Sequence, residues 1–170
     1  MTTILNEASV RLLKTLFGYR WDEAWLCWKS NMHGKLVAHL EPGDLPDSED
    51  CYFSIGLMRE GALGRRAEWC HLVMAMVLDD VGTKLDKEAV DMLCPFKPTW
   101  KLETSNGNWH YGFKLNGPNG THGVPKAEYR ALRAGMKPHP IWGHSDNALD
   151  PVHLYRLPQG TNTKHGWKVS

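Results

Sequence analysis

No apolar run in this sequence approaches the ~18 residues that a membrane-crossing helix requires. The N-terminal stretch MTTILNEASVRLLKTLF has no basic start, no long apolar core and no small-residue cleavage site, so it does not read as a secretory signal. Closely spaced cysteines are missing as well. Cys27, Cys51, Cys70 and Cys94 stand far apart with no C-x-x-C pair, which argues against a structural zinc site and for reduced, partly buried thiols in the cytoplasm. There is no Walker A pattern, and no G-x-G-x-x-G follows a strand, so P-loop and Rossmann readings fail. Net charge is almost absent: 20 Lys/Arg against 19 Asp/Glu leave +1, which excludes a strongly basic nucleic-acid coat and an acidic solvating tail. Internal repeats and low-complexity tracts are lacking too.

What is present is an ordinary globular mix. The 170 residues, 42% hydrophobic and 23% charged, suit a single domain spanning 1–170. The near-zero charge hides an asymmetry. Residues 1–85 hold 9 Lys/Arg against 12 Asp/Glu, and residues 86–170 hold 11 against 7 together with six of the nine histidines. Eight tryptophans are enough to pack a core and to leave some, such as Trp100, Trp109, Trp142 and Trp167, for stacking on bases.

Apolar spacing predicts a helix beginning near Ile4, interrupted at Gly18 and resuming as helix or turn through Trp28. Short strands are expected at Lys35–Leu40 and Cys51–Leu57, separated by the acidic, turn-rich loop Glu41–Asp50. The segment Arg59–Arg66 reads as a connection. His71–Leu78 is the longest apolar run and suits a strand buried on both faces. Leu85–Leu93 is a helix candidate, and Trp100–Leu115 a hairpin turning at Asn106-Gly107. Lys126–Met136 reads as a helix with Ala127, Tyr129, Ala131 and Leu132 facing inward. Val152–Leu157 is a last strand, followed by a loop from Pro158 to Lys164. Helices and strands without strict alternation favour an α+β fold with a largely antiparallel sheet.

Three constellations carry chemistry. Asp79-Asp80, at the end of the buried strand and before Gly82-Thr83-Lys84, are costly there unless paired or bound to a cation. On residue type alone a solvated turn leading into the next helix is the plainer reading. Glu103-Thr104-Ser105-Asn106-Gly107-Asn108-Trp109-His110 offers hydroxyls, a glycine turn and an imidazole to a phosphate, or is a polar hairpin with a surface histidine. Asp146-Asn147-Ala148-Leu149-Asp150, followed by Arg156-Leu157-Pro158-Gln159-Gly160-Thr161-Asn162-Thr163-Lys164, supplies carboxylates, then a guanidinium and an ammonium able to grip a triphosphate, or is a solvated basic loop. Acid at one point and base after it fit a nucleotide–metal site better than a uniform surface does.

Taken in order, these blocks resemble the motifs of phage and plasmid primase-polymerase domains of the archaeo-eukaryotic primase superfamily, including the RepB-like primases. DDVGTK and the block running from Arg156 to Lys164 are specific in combination, and Tyr52-Phe53-Ser54-Ile55 is similar to the lead-in of the phage members. The resemblance implies an RRM-like, largely antiparallel sheet with flanking helices and an N-terminal α/β part. It also implies a template-dependent nucleotidyltransferase, a DNA primase or polymerase of phage or plasmid replication, working in the host cytoplasm by two-metal phosphoryl transfer with Mg²⁺ or Mn²⁺. Asp79 and Asp80 would then be metal ligands, with Asp146 or Asp150 as the third carboxylate. Ser105, His110, Arg156 and Lys164 would hold the nucleotide phosphates, with Lys84 and Asn162 as lesser candidates. Its partners would be a single-stranded DNA template, nucleoside triphosphates and a helicase or other replication protein. The alternative is the same fold with an impaired site, binding single-stranded DNA, an origin or nucleotides without chemistry. The sequence departs from the family's pattern in the wider spacing of Ser105 and His110 and in its first motif. The usual first motif separates its two acids by one residue, which puts both on one face of a strand, whereas adjacent aspartates in a regular strand point to opposite faces.

Overall fold

The computed structural model describes residues 4–117, 120–144 and 150–169. Helix α1 (Glu7–Phe17) starts where the Asn6 side chain accepts from the Ser9 N–H. It buries Leu12, Leu13, Leu16 and Phe17 along one stripe. It stops at Gly18, whose φ of 59° suits glycine. Asn6 also ties the helix start to the far end of the chain: its amide donates to Pro158 O at 2.6 Å, and its backbone N–H donates to Gln159 Oε1 at 2.9 Å. After a 3-10 turn over Gly18–Glu23 the chain does not resume a helix. Trp25–Trp28 is strand β1, with all four side chains buried. A helix would have exposed part of that continuous apolar quartet, and inside a sheet covered on both faces it is buried whole.

Strand β2 (Asn31–Leu36) returns beside β1, and β3 (Asp50–Ser54) follows the expected acidic loop. The expected strand Cys51–Leu57 is divided at Ile55 into β3 and β4 (Gly56–Met58). The long apolar run is divided in the same way, at Met74, into β5 (Cys70–Val73) and β6 (Ala75–Val81). Each division lets one apolar segment serve two sheets, and every residue from Val73 to Leu78 is buried. Helix α2 (Lys87–Leu93) is capped by the Asp86 carboxylate. Strands β7 (Trp100–Ser105) and β8 (Asn108–Lys114) form the expected hairpin. The short β9 (Val124–Pro125) leads into α3 (Lys126–Met136). Of the four residues expected to face inward from α3, only Tyr129 is buried. β10 (Leu154–Asn162) and β11 (Trp167–Lys168) close the chain. Here the strand runs on through Pro158 and Gly160, where a loop was expected. A register irregularity between Arg156 and Gly160 accommodates the proline, which cannot donate to a ladder.

The architecture is α+β and its named strands pair antiparallel, but they are spread over three sheets. The orders are β11-β10-β3-β1-β2, β4-β5-β9 and β6-β8-β7. The β3–β10 ladder packs Phe53 and Tyr155 side by side, with Trp100 of β7 against Phe53 and His110 of β8 edge-on to Tyr155. Asn162 joins the two sheets directly, donating from its side-chain amide to Thr104 O at 2.7 Å. The four cysteines are free thiols, three of them buried.

Candidate active site

The acidic end of β6 is built by a bulge. Leu78 pairs with Tyr111 and Val81 with Trp109, so three steps on β6 match two on β8, and the extra residue falls at Asp79-Asp80. Asp80 takes a left-handed backbone, φ 58°. This changes where adjacent aspartates point. Asp79 reaches His110, whose Nε2 donates to its Oδ1 at 2.9 Å. Asp80 reaches Asn108, whose amide donates to its Oδ1 at 3.3 Å. His110 and Asn108 lie two positions apart on β8 and so share one face. Both carboxylates therefore turn to the same side of β8, which a regular strand would forbid.

Their surroundings differ. The Asp79 carboxylate also accepts the Asp80 backbone N–H at 2.7 Å. Burial pushes its pKa up, but the hydrogen bond and charge of His110, the Asp80 N–H and the charge of His153 outweigh it, and the group lies below the ordinary carboxylate range. It is a firmly ionised acid whose side chain is still 34% exposed. Asp80 is tied more fully, with Lys84 Nζ on its Oδ2 at 2.6 Å and Asn108 on its Oδ1. His110 is buried, so its hydrogen bond fixes both the ring and the carboxylate it serves.

A second histidine, His153, completes the neighbourhood. Burial holds its imidazole below the ordinary value; Asp79 and Asp150 oppose this, and His110 and Arg65 add to it. Its ring meets Tyr155 at 5.0 Å between centroids, and His110 meets the same ring edge-on at 5.7 Å. Asp150 accepts the Val152 N–H at 3.1 Å and its backbone carbonyl accepts the His153 N–H. Ser105 ends β7 opposite Asn108, beside the bulge, and is buried. Asp146 lies outside the described residues.

Arg156 and its followers are placed elsewhere. Tyr155 faces His110, and the next residue along β10 points to the other face of the sheet. There Arg156 ion-pairs with buried Asp50 and lies over the Tyr52 ring. Thr163 also serves Asp50, donating from its hydroxyl at 2.5 Å and from its backbone N–H at 3.2 Å. Asn162 is buried in the contact to Thr104, and Lys164 is exposed on the turn between β10 and β11. Trp142 is buried edge-on to Phe113, a packing role in place of the expected stacking.

Asp50 and His153 were not singled out by sequence reasoning. Asp50 closes an acidic loop and reads as solvated. Its signal is position: it is the residue that enters an apolar strand, where an unpaired carboxylate is costly. His153 sits inside a strand pattern that offers no motif.

Divalent cations of the Mg²⁺ type take one or two carboxylates together with substrate phosphates. Asp79, ionised and part-exposed, fits one such cation shared with a nucleotide. No set of three His, Cys, Asp or Glu among the described residues is arranged to hold a metal by itself. The two-metal cage implied by the resemblance is therefore not assembled by those residues alone.

One solved structure is similar over nearly the whole chain: the AEP domain of the cyanophage S-2L primase-polymerase. The match has a TM-score of 0.69 at 15% identity and covers 96% of this chain and 87% of that one. The chain thus shares its fold with that AEP domain. No family model matches the sequence, and no curated protein matches it.

Proposed function

We propose that this chain is a nucleotidyltransferase of the primase-polymerase type, joining nucleotides on a single-stranded DNA template in phage or plasmid replication. The observation that carries the reading is the Asp79–His110 pair, an ionised carboxylate fixed by a buried imidazole at a strand end, within a fold shared with a primase-polymerase domain. In the reaction the 3′-hydroxyl oxygen bonds to the α-phosphorus of the incoming nucleotide, the bond to pyrophosphate breaks, and the hydroxyl proton passes to water. Mg²⁺ or Mn²⁺, when bound, supplies charge stabilisation for the phosphoryl oxygens.

The protein's own residues do the positioning. Asp79 is the carboxylate offered to the cation, and His110 holds it ionised and oriented. Ser105 and Lys84 border the same bulge, from the end of β7 and from the turn after β6, and are proposed phosphate contacts. Asp150 is the proposed further carboxylate, sharing the neighbourhood of His153 with Asp79. Arg156 and Asn162 act through the fold, by the Asp50 pair and the Thr104 contact.

A second reading is favoured by one observation. Lys84 and Asn108 already occupy the Asp80 carboxylate, an arrangement that suits a module binding single-stranded DNA or nucleotide without chemistry. Incubation with single-stranded DNA, nucleotides and Mg²⁺ or Mn²⁺ separates the two. Product from the wild type, lost in Asp79→Asn, supports the enzyme. Salt-sensitive DNA binding with no incorporation, under conditions where a known primase works, supports the binding module. A helicase or another replication protein is the proposed partner.

A further inference from the structure

The second aspartate of the acidic pair is distinguished from the first by its backbone. Asp80 is one of two non-glycine residues with a positive φ among the described residues, and its carbonyl is a hub. It accepts the backbone N–H groups of Thr83, Lys84 and Leu85 at 3.2, 3.0 and 3.0 Å, and the Thr83 hydroxyl at 3.1 Å. Its side chain reaches across to β8 through Asn108, and Asn108 returns a contact by accepting from the Thr83 hydroxyl at 3.1 Å. Both carboxylate oxygens have partners, Asn108 on Oδ1 and Lys84 on Oδ2. Its own backbone N–H donates to the Asp79 carboxylate at 2.7 Å. The turn it opens is seated on the tip of the β7–β8 hairpin, where a Cβ on Gly82 would stand 2.2 Å from Gly107 O.

The backbone contacts converge on one task. The left-handed residue supplies the bulge that aims Asp79 at His110, its N–H orients the Asp79 carboxylate, and its carbonyl gathers the turn that follows β6. We infer that Asp80 is a positioning residue for the Asp79–His110 pair, acting through its backbone conformation, and is not itself a ligand of metal or phosphate. This rests on the nucleotidyl-transfer reading for its catalytic consequence, though not for its structural content.

Replacing the residue while keeping or removing its backbone freedom separates the two roles. Asparagine tolerates the left-handed region, glycine enters it freely without any carboxylate, and β-branched valine is a genuine outlier there. The full chain carrying Asp80→Asn, Asp80→Gly, Asp80→Val or Asp79→Asn is compared with the wild type. The readouts are kcat and KM for nucleotide incorporation, the Mn²⁺ concentration giving half-maximal rate, and the NMR signals of the His110 ring. Asp80→Gly and Asp80→Asn are expected to keep kcat and Mn²⁺ dependence within about threefold and to leave the His110 signals in place. Asp80→Val is expected to move those signals and to lower kcat tenfold or more, and Asp79→Asn to lower it a hundredfold or more. The inference is overturned if Asp80→Gly and Asp80→Asn lose activity as Asp79→Asn does while their His110 signals stay as in the wild type, because the carboxylate is then the working group. If the wild type incorporates nothing, the reaction assignment fails and the ring signals alone decide. A shift in Asp80→Val that Asp80→Gly does not share upholds the positioning role, and any other pattern refutes it.

Discussion

Asp79 and His110 form the smallest unit that carries the account. Asp79 is part-buried and His110 buried, and a hydrogen bond joins their side chains. Removing the imidazole in His110→Ala leaves the carboxylate only the Asp80 N–H as donor and is expected to lower incorporation by about a hundredfold, within the range for a positioned catalytic group. Steady-state kinetics at saturating nucleotide measures it. Arg156 gives the opposite expectation. Its partner Asp50 is only 6% exposed, and breaking such a pair strands a charge, so Arg156→Met is expected to cost roughly 3 kcal/mol of stability. Denaturant unfolding checks this, and a stable Arg156→Met that lost only nucleotide affinity would place Arg156 at the phosphates instead.

His153 and His71 together set the acid response. Burial holds both imidazoles below the ordinary 6.5 in the folded state, so on unfolding each gains affinity for protons. Below about pH 6.5 the unfolded chain therefore binds the extra protons and stability falls as pH drops toward the folded values. Asp79 and Asp50 act in the same direction further down: their folded pKa values are lowered, so their contribution is present above the unfolded value and is lost as pH falls through the folded one. Urea midpoints from pH 7.5 to 5.5 should decline, and His153→Gln should flatten the upper part of that decline.

At the scale of elements, the β6 exit is packed directly on the tip of the β7–β8 hairpin. Gly82, at φ 92°, meets the Gly107 carbonyl where a side chain would stand. Gly82→Ala combines backbone strain with a collision and is expected to destabilise by about 2 kcal/mol, read from thermal or urea unfolding. Much of this scale was legible in the sequence. The hairpin at Asn106-Gly107, the buried apolar run, the helix before Gly18 and the acidic loop all follow from local turn chemistry and periodicity. Three features were not. Trp25–Trp28 carries no periodicity because it is buried on both faces. The divisions at Ile55 and Met74 depend on which sheet each half joins. The bulge at Asp79-Asp80 is a mismatch between two strands and has no signature in either alone. The site was legible in part for the same reason. Asp79 and His110 stood out by residue type at a strand end, whereas the Asp50–Arg156 pair depends on β3 and β10 lying side by side across about a hundred residues of chain.

For the whole molecule, the acidic first half and basic second half do not make two separate parts. β10 of the second half pairs with β3 of the first, and Arg156 is neutralised by Asp50. The asymmetry in sequence therefore overstates the basic surface left for nucleic acid. Single-stranded DNA binding is expected to depend on salt with a modest slope, about −2 in log K against log salt for roughly three phosphate contacts, measured by fluorescence anisotropy. Among the described residues no helix is long and apolar enough to cross a membrane.

The most direct test of the central claim is template-dependent nucleotide incorporation by the purified chain with Mn²⁺ or Mg²⁺, wild type beside Asp79→Asn. Labelled product is expected from the wild type and at least a hundredfold less from Asp79→Asn, with both proteins folded. Equal product from the two, or none from the wild type where a known primase is active, would contradict that claim.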